Sequence, residues 1–276
     1  MKKNNSGSYP ANEARFGVAA RNVTIAYDNG DVYEGAFHGG AIHGVGKMKY
    51  KDGRVREGIW EKGEVKYEGG LNDNGKPHGR GKWVYSDGTY VGDWTNGVKH
   101  GMGTYKGRNG TSYEGEYKYG KMHGKGTYKW PNGSTYEGEW MFGLRHGQGV
   151  LKFHNGDEYI GAFNADKRHG PGVMTYANLD TYHGQWKEDR KDGNGTMTYR
   201  NGNVYDGDFK KGKMHGKGVF TYAAGDVLTS TGEWKDGKKV GFFRDVCKVC
   251  KEVYYDDDDS KSDSMSKRRK LASSFK

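Results

Sequence analysis

Histidine recurs in this chain with a regularity that first suggests metal chemistry. His43, His78, His100, His123, His146, His169 and His215 each precede a glycine, most of them at a step of 23 residues. Zinc needs its ligands at about 2 Å, whereas equivalent residues two strands apart would stand ~9–10 Å from each other. Asp192 also fills the slot once without shifting the spacing. The position therefore reads as one that fixes the start of a strand. Glu114 with Glu116, and Glu137 with Glu139, have the form of a general acid and base. They recur beside Lys121, Lys125 and Lys129, as a solvated, charge-laced face would. Cys247 and Cys250 make a C-x-x-C pair, half a zinc site or a redox couple. Two ligands leave a tetrahedral site open, so a dimer would have to complete it. No Gly-Lys is followed by Ser or Thr, as a P-loop requires, and no Gly-x-Ser-x-Gly elbow occurs. The Gly-x-Gly pairs precede strands rather than helices, which does not suit a dinucleotide cradle. These patterns predict no enzyme and no cofactor.

The elements that position these residues come from an internal repeat. Tyr67, Tyr90, Tyr113, Tyr136, Tyr159, Tyr182 and Tyr205 are anchors spaced 23 apart, and an earlier copy starts at Tyr33. The His-Gly pair falls ten residues after each anchor, except that His78 sits one place late after an insertion in "LNDNGKPHG". Arg56 opens a copy cut off after 11 residues, and "LTSTGEW" carries two extra residues before Gly232. Eight full repeats result, with partial ones at each end and one near residue 56.

Each repeat holds two segments with the period of a strand. In "YEGEW", Tyr136, Gly138 and Trp140 face one way, and Glu137 and Glu139 the other. In "HGKGTYKW", the alternation puts Gly124, Gly126, Tyr128 and Trp130 on one face and Lys125, Thr127 and Lys129 on the other. "FG", "NG" or "KG" links the two segments, and "PNG", "RNG" or "HNG" leads to the next repeat, all of them hairpin-turn residues. The predicted fold is all-β: an elongated single-layer antiparallel meander of 23-residue hairpins, roughly 80 Å long at ~4.8 Å per strand. Glycines sharing a face with the rings let a tyrosine lie across bare backbone and let the sheet curl toward its aromatic side.

Composition agrees. The chain has 276 residues with 48 glycines and 14% aromatics, too aromatic for disorder and too poor in aliphatics for a thick core. No apolar run approaches the ~18 residues that span a bilayer, and "MKKNNSGSYP" lacks the apolar stretch of a signal peptide. An intracellular protein is expected, in the cytoplasm or cytoskeleton, with a cilium or membrane periphery as specific settings. The expected organisation is a flexible segment over 1–19, the array over 20–245, a capping segment over 246–255 and a disordered charged tail over 256–276. In that tail Lys267, Arg268, Arg269 and Lys270 have the form of a nuclear import signal or an acidic-lipid contact.

The "YEGEW…HGKGTY…NG" pattern resembles the MORN (membrane occupation and recognition nexus) repeat family, over some four-fifths of the chain. The resemblance implies a twisted single-layer sheet curved into an aromatic-lined groove, and a scaffolding role in cilia, cytoskeletal collars or membrane junctions. "YEGGLNDNGKPHGRGKWVYSDGTYVGDW" is similar to the opening repeats of radial spoke head proteins. Those relatives usually carry a long acidic C-terminal region, which the short mixed-charge tail here does not match.

A scaffold that holds an extended or helical segment of a partner protein is the first functional expectation. Its groove candidates are Tyr90, Trp94, Tyr113, Tyr117, Tyr136, Trp140, Tyr159, Phe163, Tyr182, Trp186, Tyr205 and Phe209. The alternative is a peripheral adaptor for anionic phosphoinositides, since the net charge is +10. A lipid face would place Lys or Arg at one slot of every repeat. The slot two beyond the histidine holds Val45, Arg80, Met102, Lys125, Gln148, Pro171, Asn194 and Lys217, which disfavours that reading. Nucleic acid is disfavoured because the rings sit beside glycines as packing units. Exposed edge strands at the ends of a meander leave a homodimer open.

Overall fold

Alternating apolar and polar residues, punctuated by two-residue turns, become strands that pair with their sequence neighbours. The computed structural model describes residues 21–248 and the backbone of 253–256. Segment 1–19, Cys250 and the basic cluster Lys267–Lys270 lie outside the described residues. The chain divides after Pro131 into two units.

Unit 1 contains β1 (Arg21–Ala26), β2 (Val32–His38), β3 (Ala41–Lys49), β4 (Val55–Glu61) and β5 (Glu64–Leu71). It continues with β6 (Pro77–Val84), β7 (Gly88–Thr95), β8 (Val98–Gly107), β9 (Ser112–Lys118) and β10 (Lys121–Lys129). Each strand pairs antiparallel with the next. Unit 2 opens with β11 (Thr135–Met141), β12 (Leu144–Lys152), β13 (Glu158–Asn164), β14 (Lys167–Thr175) and β15 (Thr181–Lys187). There follow β16 (Arg190–Thr198), β17 (Val204–Lys210), β18 (Lys213–Thr221), β19 (Val227–Lys235), β20 (Lys238–Cys247) and β21 (Val253–Asp256). It too is a meander of antiparallel neighbours. The all-β meander expected from the repeat is the fold of both units.

Apart from the repeat lengthened by the "LNDNGKPHG" insertion, the turn inside each repeat is a two-residue turn with both residues left-handed, as in Phe142 (φ 50°) with Gly143 (φ 93°) and Lys211 (51°) with Gly212 (89°). That conformation matches the right-handed strand twist, which is why it closes tight hairpins. The turn between repeats is stitched across repeats as well. Asp157 Oδ1 accepts the Ala177 N–H at 2.8 Å, Asp180 Oδ1 that of Arg200 at 2.8 Å, and Asn203 Oδ1 that of Ala223 at 3.0 Å.

Two departures correct the simple alternation. Every full repeat carries a bulge in its internal hairpin, between His123 and Gly126 in β10 for example. The glycine after the histidine is left-handed there, φ +57° at Gly124, so it leaves the ring face assigned to it. A Cβ on Gly124 would meet the Glu116 carboxylate, on the opposite side of the sheet from the rings. That carboxylate accepts the Lys125 N–H at 2.9 Å, and Glu139 accepts that of Gln148 at 2.8 Å. These glutamates therefore cap bulges as well as meeting solvent. The second departure lies at the truncated copy. It supplies a single new strand, β4, whose antiparallel partner β5 already carries the next anchor, Tyr67. Anchor strands consequently run one way in β2 and the opposite way from β5 onward in unit 1.

The core is a row of rings. Tyr33, Tyr67, Tyr90, Tyr136, Tyr159, Tyr182 and Tyr205 are wholly buried. Each lies across a Gly–Gly pair: a Cβ added to Gly149 would come within 2.5 Å of the Tyr136 ring, and one on Gly138 within 2.6 Å of the Gly149 Cα. The Tyr136 hydroxyl donates to the Glu139 carbonyl at 2.9 Å. In unit 2 edge-to-face contacts run on from repeat to repeat, with Tyr136–Phe163 at 5.1 Å, Tyr159–Phe163 at 5.2 Å and Tyr159–Trp186 at 5.3 Å. Such pairs add ~0.5–1.5 kcal/mol each beyond area burial. The damaged copy near the C-terminus exchanges the roles: Ser230 holds the anchor slot, and Phe243 from the opposite strand lies over Gly232 instead.

Candidate functional site

The twelve rings proposed as groove residues fall on the ring face of their own unit, and the structure places all of them inside the packing. Tyr90, Tyr136, Tyr159, Tyr182 and Tyr205 are 0% exposed, Tyr113 is 1%, and Trp94, Tyr117, Trp140, Phe163, Trp186 and Phe209 lie between 3% and 6%. They form the floor of that face. Indole N–H groups are satisfied within it, since Trp94 Nε1 donates to the Gly81 carbonyl at 3.3 Å and Trp186 Nε1 to that of Gly172 at 3.4 Å. Burial pushes the phenols up, to about 12 for Tyr159 and Tyr205.

The surface above the floor comes from three other slots. One carries half-buried Tyr85 and Trp130 in unit 1, and Phe153, Tyr176, Tyr199 and Tyr222 in unit 2; a second, two residues earlier, carries half-buried Tyr105 and Tyr128. The third is the position directly before the histidine or its Asp192 equivalent. It holds Ile42, Pro77, Lys99 and Met122 in unit 1, then Arg145, Arg168, Lys191 and Met214 in unit 2. These cations lie over the rings. The Arg168 guanidinium is 4.3 Å from the Trp186 centroid, and Arg145 is 5.3 Å from that of Phe163. Lys99 Nζ lies 4.7 Å from the Tyr85 ring and 4.8 Å from that of Tyr90. The slot two beyond the histidine does not carry these cations. All eight of its residues are exposed, with backbone positions next to the bulge. The informative slot stands three places earlier, and its Lys, Arg and Met content was the available signal.

A 410 Å³ cleft opens around Lys99, lined by Tyr85, Asp87, Tyr105, Tyr117, Met122 and Tyr128 among others. Burial lowers the Lys99 ammonium pKa, offset in part by Asp87, and lowers that of Lys191 in the same way, offset by Asp180. Burial pushes Tyr85 up to about 12, with Asp87 and Tyr105 adding to it.

Folding also sorts charge in unit 2. The edge formed by turns within repeats displays Lys167, Lys187, Arg190, Lys210, Lys211, Lys213, Lys235 and Lys238. Against them stand Asp166, Glu188, Asp189 and Asp236. Asp166 and Asp189 are already paired with Arg145 at 3.2 Å and Arg168 at 3.1 Å. The first turn of this edge exposes Met141, Phe142 and Leu144 at 44–47%. Of the remaining candidates, Cys247 ends β20 half-buried and carries no free thiol. Among the described residues no group of three or more His, Cys, Asp or Glu side chains could hold a metal ion.

Among solved structures, the chain is similar to the TCP10 domain of Danio rerio CPAP bound to a peptide of Danio rerio STIL, at 12% identity and a TM-score of 0.36. That match covers 79% of this chain and 90% of the other. It is also similar to the SAS-4 TCP domain of Drosophila melanogaster bound to a proline-rich motif of Ana2, at 14% identity, TM-score 0.31, covering 66% and 86%. The virginiamycin B lyase of Staphylococcus aureus matches at 10% identity and a TM-score of 0.14, covering 84% and 68%. No curated protein matches the chain. The MORN repeat profile matches residues 33–53, then seven contiguous windows from 67–89 to 205–227, and finally 231–242. Eight of these windows open at the tyrosine anchors, and together they cover more than half of the chain. The chain belongs to the MORN repeat family, a family of repeat scaffolds.

Proposed function

We propose that the chain is a non-catalytic scaffold whose ring face holds a segment of a partner protein within a cytoskeletal assembly, a radial-spoke-like ciliary assembly being the specific setting. The observation that carries this reading is the division of labour on that face. The anchor rings are spent on packing, while a second tier of half-buried tyrosines and cations stands above them at the repeat spacing. Half-exposed aromatics and cations on a rigid floor are the residue types that anchor protein interfaces. A segment lying across successive hairpins would meet the same chemistry every ~9–10 Å.

The basic edge of unit 2 favours a second reading, a peripheral adaptor on an anionic lipid surface. Lysines spread along the same edge as an exposed Met141-Phe142-Gly143-Leu144 turn combine charge attraction with a short apolar insertion. Fractionation of the native protein with non-ionic detergent and then 0.5 M salt separates the two readings. The scaffold reading expects retention in the insoluble, salt-resistant fraction. Release by detergent or salt overturns it in favour of the lipid reading.

A further inference from the structure

Cations before the histidine fall into two kinds, and the kind is set one repeat further on. Arg145 is followed by Asp166 in the next hairpin turn, and Arg168 by Asp189. Each aspartate accepts both the backbone N–H and the Nε–H of its arginine, at 2.9 and 3.2 Å for Arg145 and 3.1 and 3.1 Å for Arg168. After Lys99 and Lys191 the corresponding turn residue is a glycine. Gly120 and Gly212 donate their N–H groups to the Lys99 and Lys191 carbonyls, at 2.9 and 2.8 Å, and bring no carboxylate. The arginines are thus neutralised within the fold. The two lysines have no salt bridge among the described residues, and each ammonium is walled by rings.

We infer that the Lys99 cleft is a carboxylate-recognition site, which takes an aspartate or glutamate with an apolar neighbour from a bound protein segment. The inference rests on the scaffold reading and names the chemistry of its partner. Lys99 Nζ lies within 4.7–5.8 Å of the Tyr85, Tyr90, Tyr105 and Tyr117 centroids. These rings exclude water from one side of the ammonium, and Lys99 lines the cleft. A charge-assisted bond made there is stronger than the same bond in water. Asp87, the acidic residue lining the cleft, is engaged with the Tyr105 hydroxyl. A volume of 410 Å³ admits one or two side chains and no folded domain. One ammonium also matches the single charge of a carboxylate, whereas phosphate is better held by forked arginines or several cations. Lys191 repeats the arrangement in unit 2, with Tyr182, Phe209 and Tyr176 centroids at 5.0, 5.5 and 5.7 Å.

The test is an NMR titration of the ¹⁵N-labelled full chain with phenylacetate, which joins an aromatic ring to one carboxylate. Phenethylamine, with the same ring and the opposite charge, and inorganic phosphate serve as comparisons. Lys99→Met is the matching variant, and Met122 and Met214 already occupy the same slot in this array, so the fold accepts it. Phenylacetate is expected to shift the signals of Tyr85, Lys99, Tyr105 and Tyr128, half-saturating at least about tenfold below either comparison compound. In Lys99→Met those shifts should vanish while those around Lys191 persist. Equal responses to phenylacetate and phenethylamine, a stronger response to phosphate, or shifts that survive Lys99→Met would each overturn the inference. None of those results bears on the scaffold reading, which the fractionation decides separately.

Discussion

At the scale of the residue, the molecule depends on one contact made again and again, a tyrosine laid across two glycines. Gly149 has no room for a methyl group, because the Tyr136 ring occupies that space. Gly149→Ala is therefore expected to cost about 3 kcal/mol, the upper part of the range for overpacking a core, read as a lowered urea midpoint. Tyr136→Phe keeps the ring and removes the 2.9 Å bond to the Glu139 carbonyl. A loss of about 1 kcal/mol is expected, so the two variants separate packing from hydrogen bonding at one site. Both partners were legible in the sequence, since alternation puts Tyr136, Gly138 and Gly149 on one face. Depth was not legible. Alternation tells which way a side chain points but not whether other side chains cover it, and burial makes the anchor rings the floor of that face.

At the scale of the element, the hairpin is fixed by its turn and its bulge. The turns were announced by "NG", "KG" and "FG", and the structure confirms their left-handed pairs. Lysine at the first left-handed position costs more than asparagine would, because the Cβ of either crowds the following carbonyl but only the short asparagine amide offsets this by hydrogen-bonding locally. Lys211→Asn should raise stability by roughly 0.5–1 kcal/mol, measured as a higher Tm; a lowered Tm would show that the lysine side chain has a structural task. The bulge was not announced. It depends on which residues of the two strands meet, and the skipped residues appear only when Gly138 is seen opposite Gly149 and Glu139 opposite His146. Missing it hid two facts together: the capping role of Glu116 and Glu139, and the column of cations before the histidine.

At the scale of the whole molecule, stability is a sum over neighbouring hairpins, each with a phenol held neutral by burial. The folded-state pKa of Tyr159 and Tyr205 is raised to about 12 from an ordinary value of 10.0. For a group shifted upward, the stabilisation is complete below the unfolded value and is lost as pH rises through the folded one. The fold should thus resist alkali to about pH 10 and unfold between there and about pH 12. Tyrosinate absorbance should rise together with the loss of the β-sheet circular dichroism signal. Tyrosinate appearing near pH 10 with the sheet intact would show that the anchors are not buried as described.

The central claim is that the second tier of the ring face, rather than the basic edge, holds the partner. It is tested most directly by extracting three versions of the full chain from cells in detergent and 0.5 M salt. These are the unmodified chain, a ring-face variant with Tyr105→Ser and Tyr128→Ser, and an edge variant with Lys210, Lys211 and Lys213 each changed to Ser. The account predicts that the unmodified chain and the edge variant stay insoluble while the ring-face variant is released. Release of the edge variant with retention of the ring-face variant would contradict it.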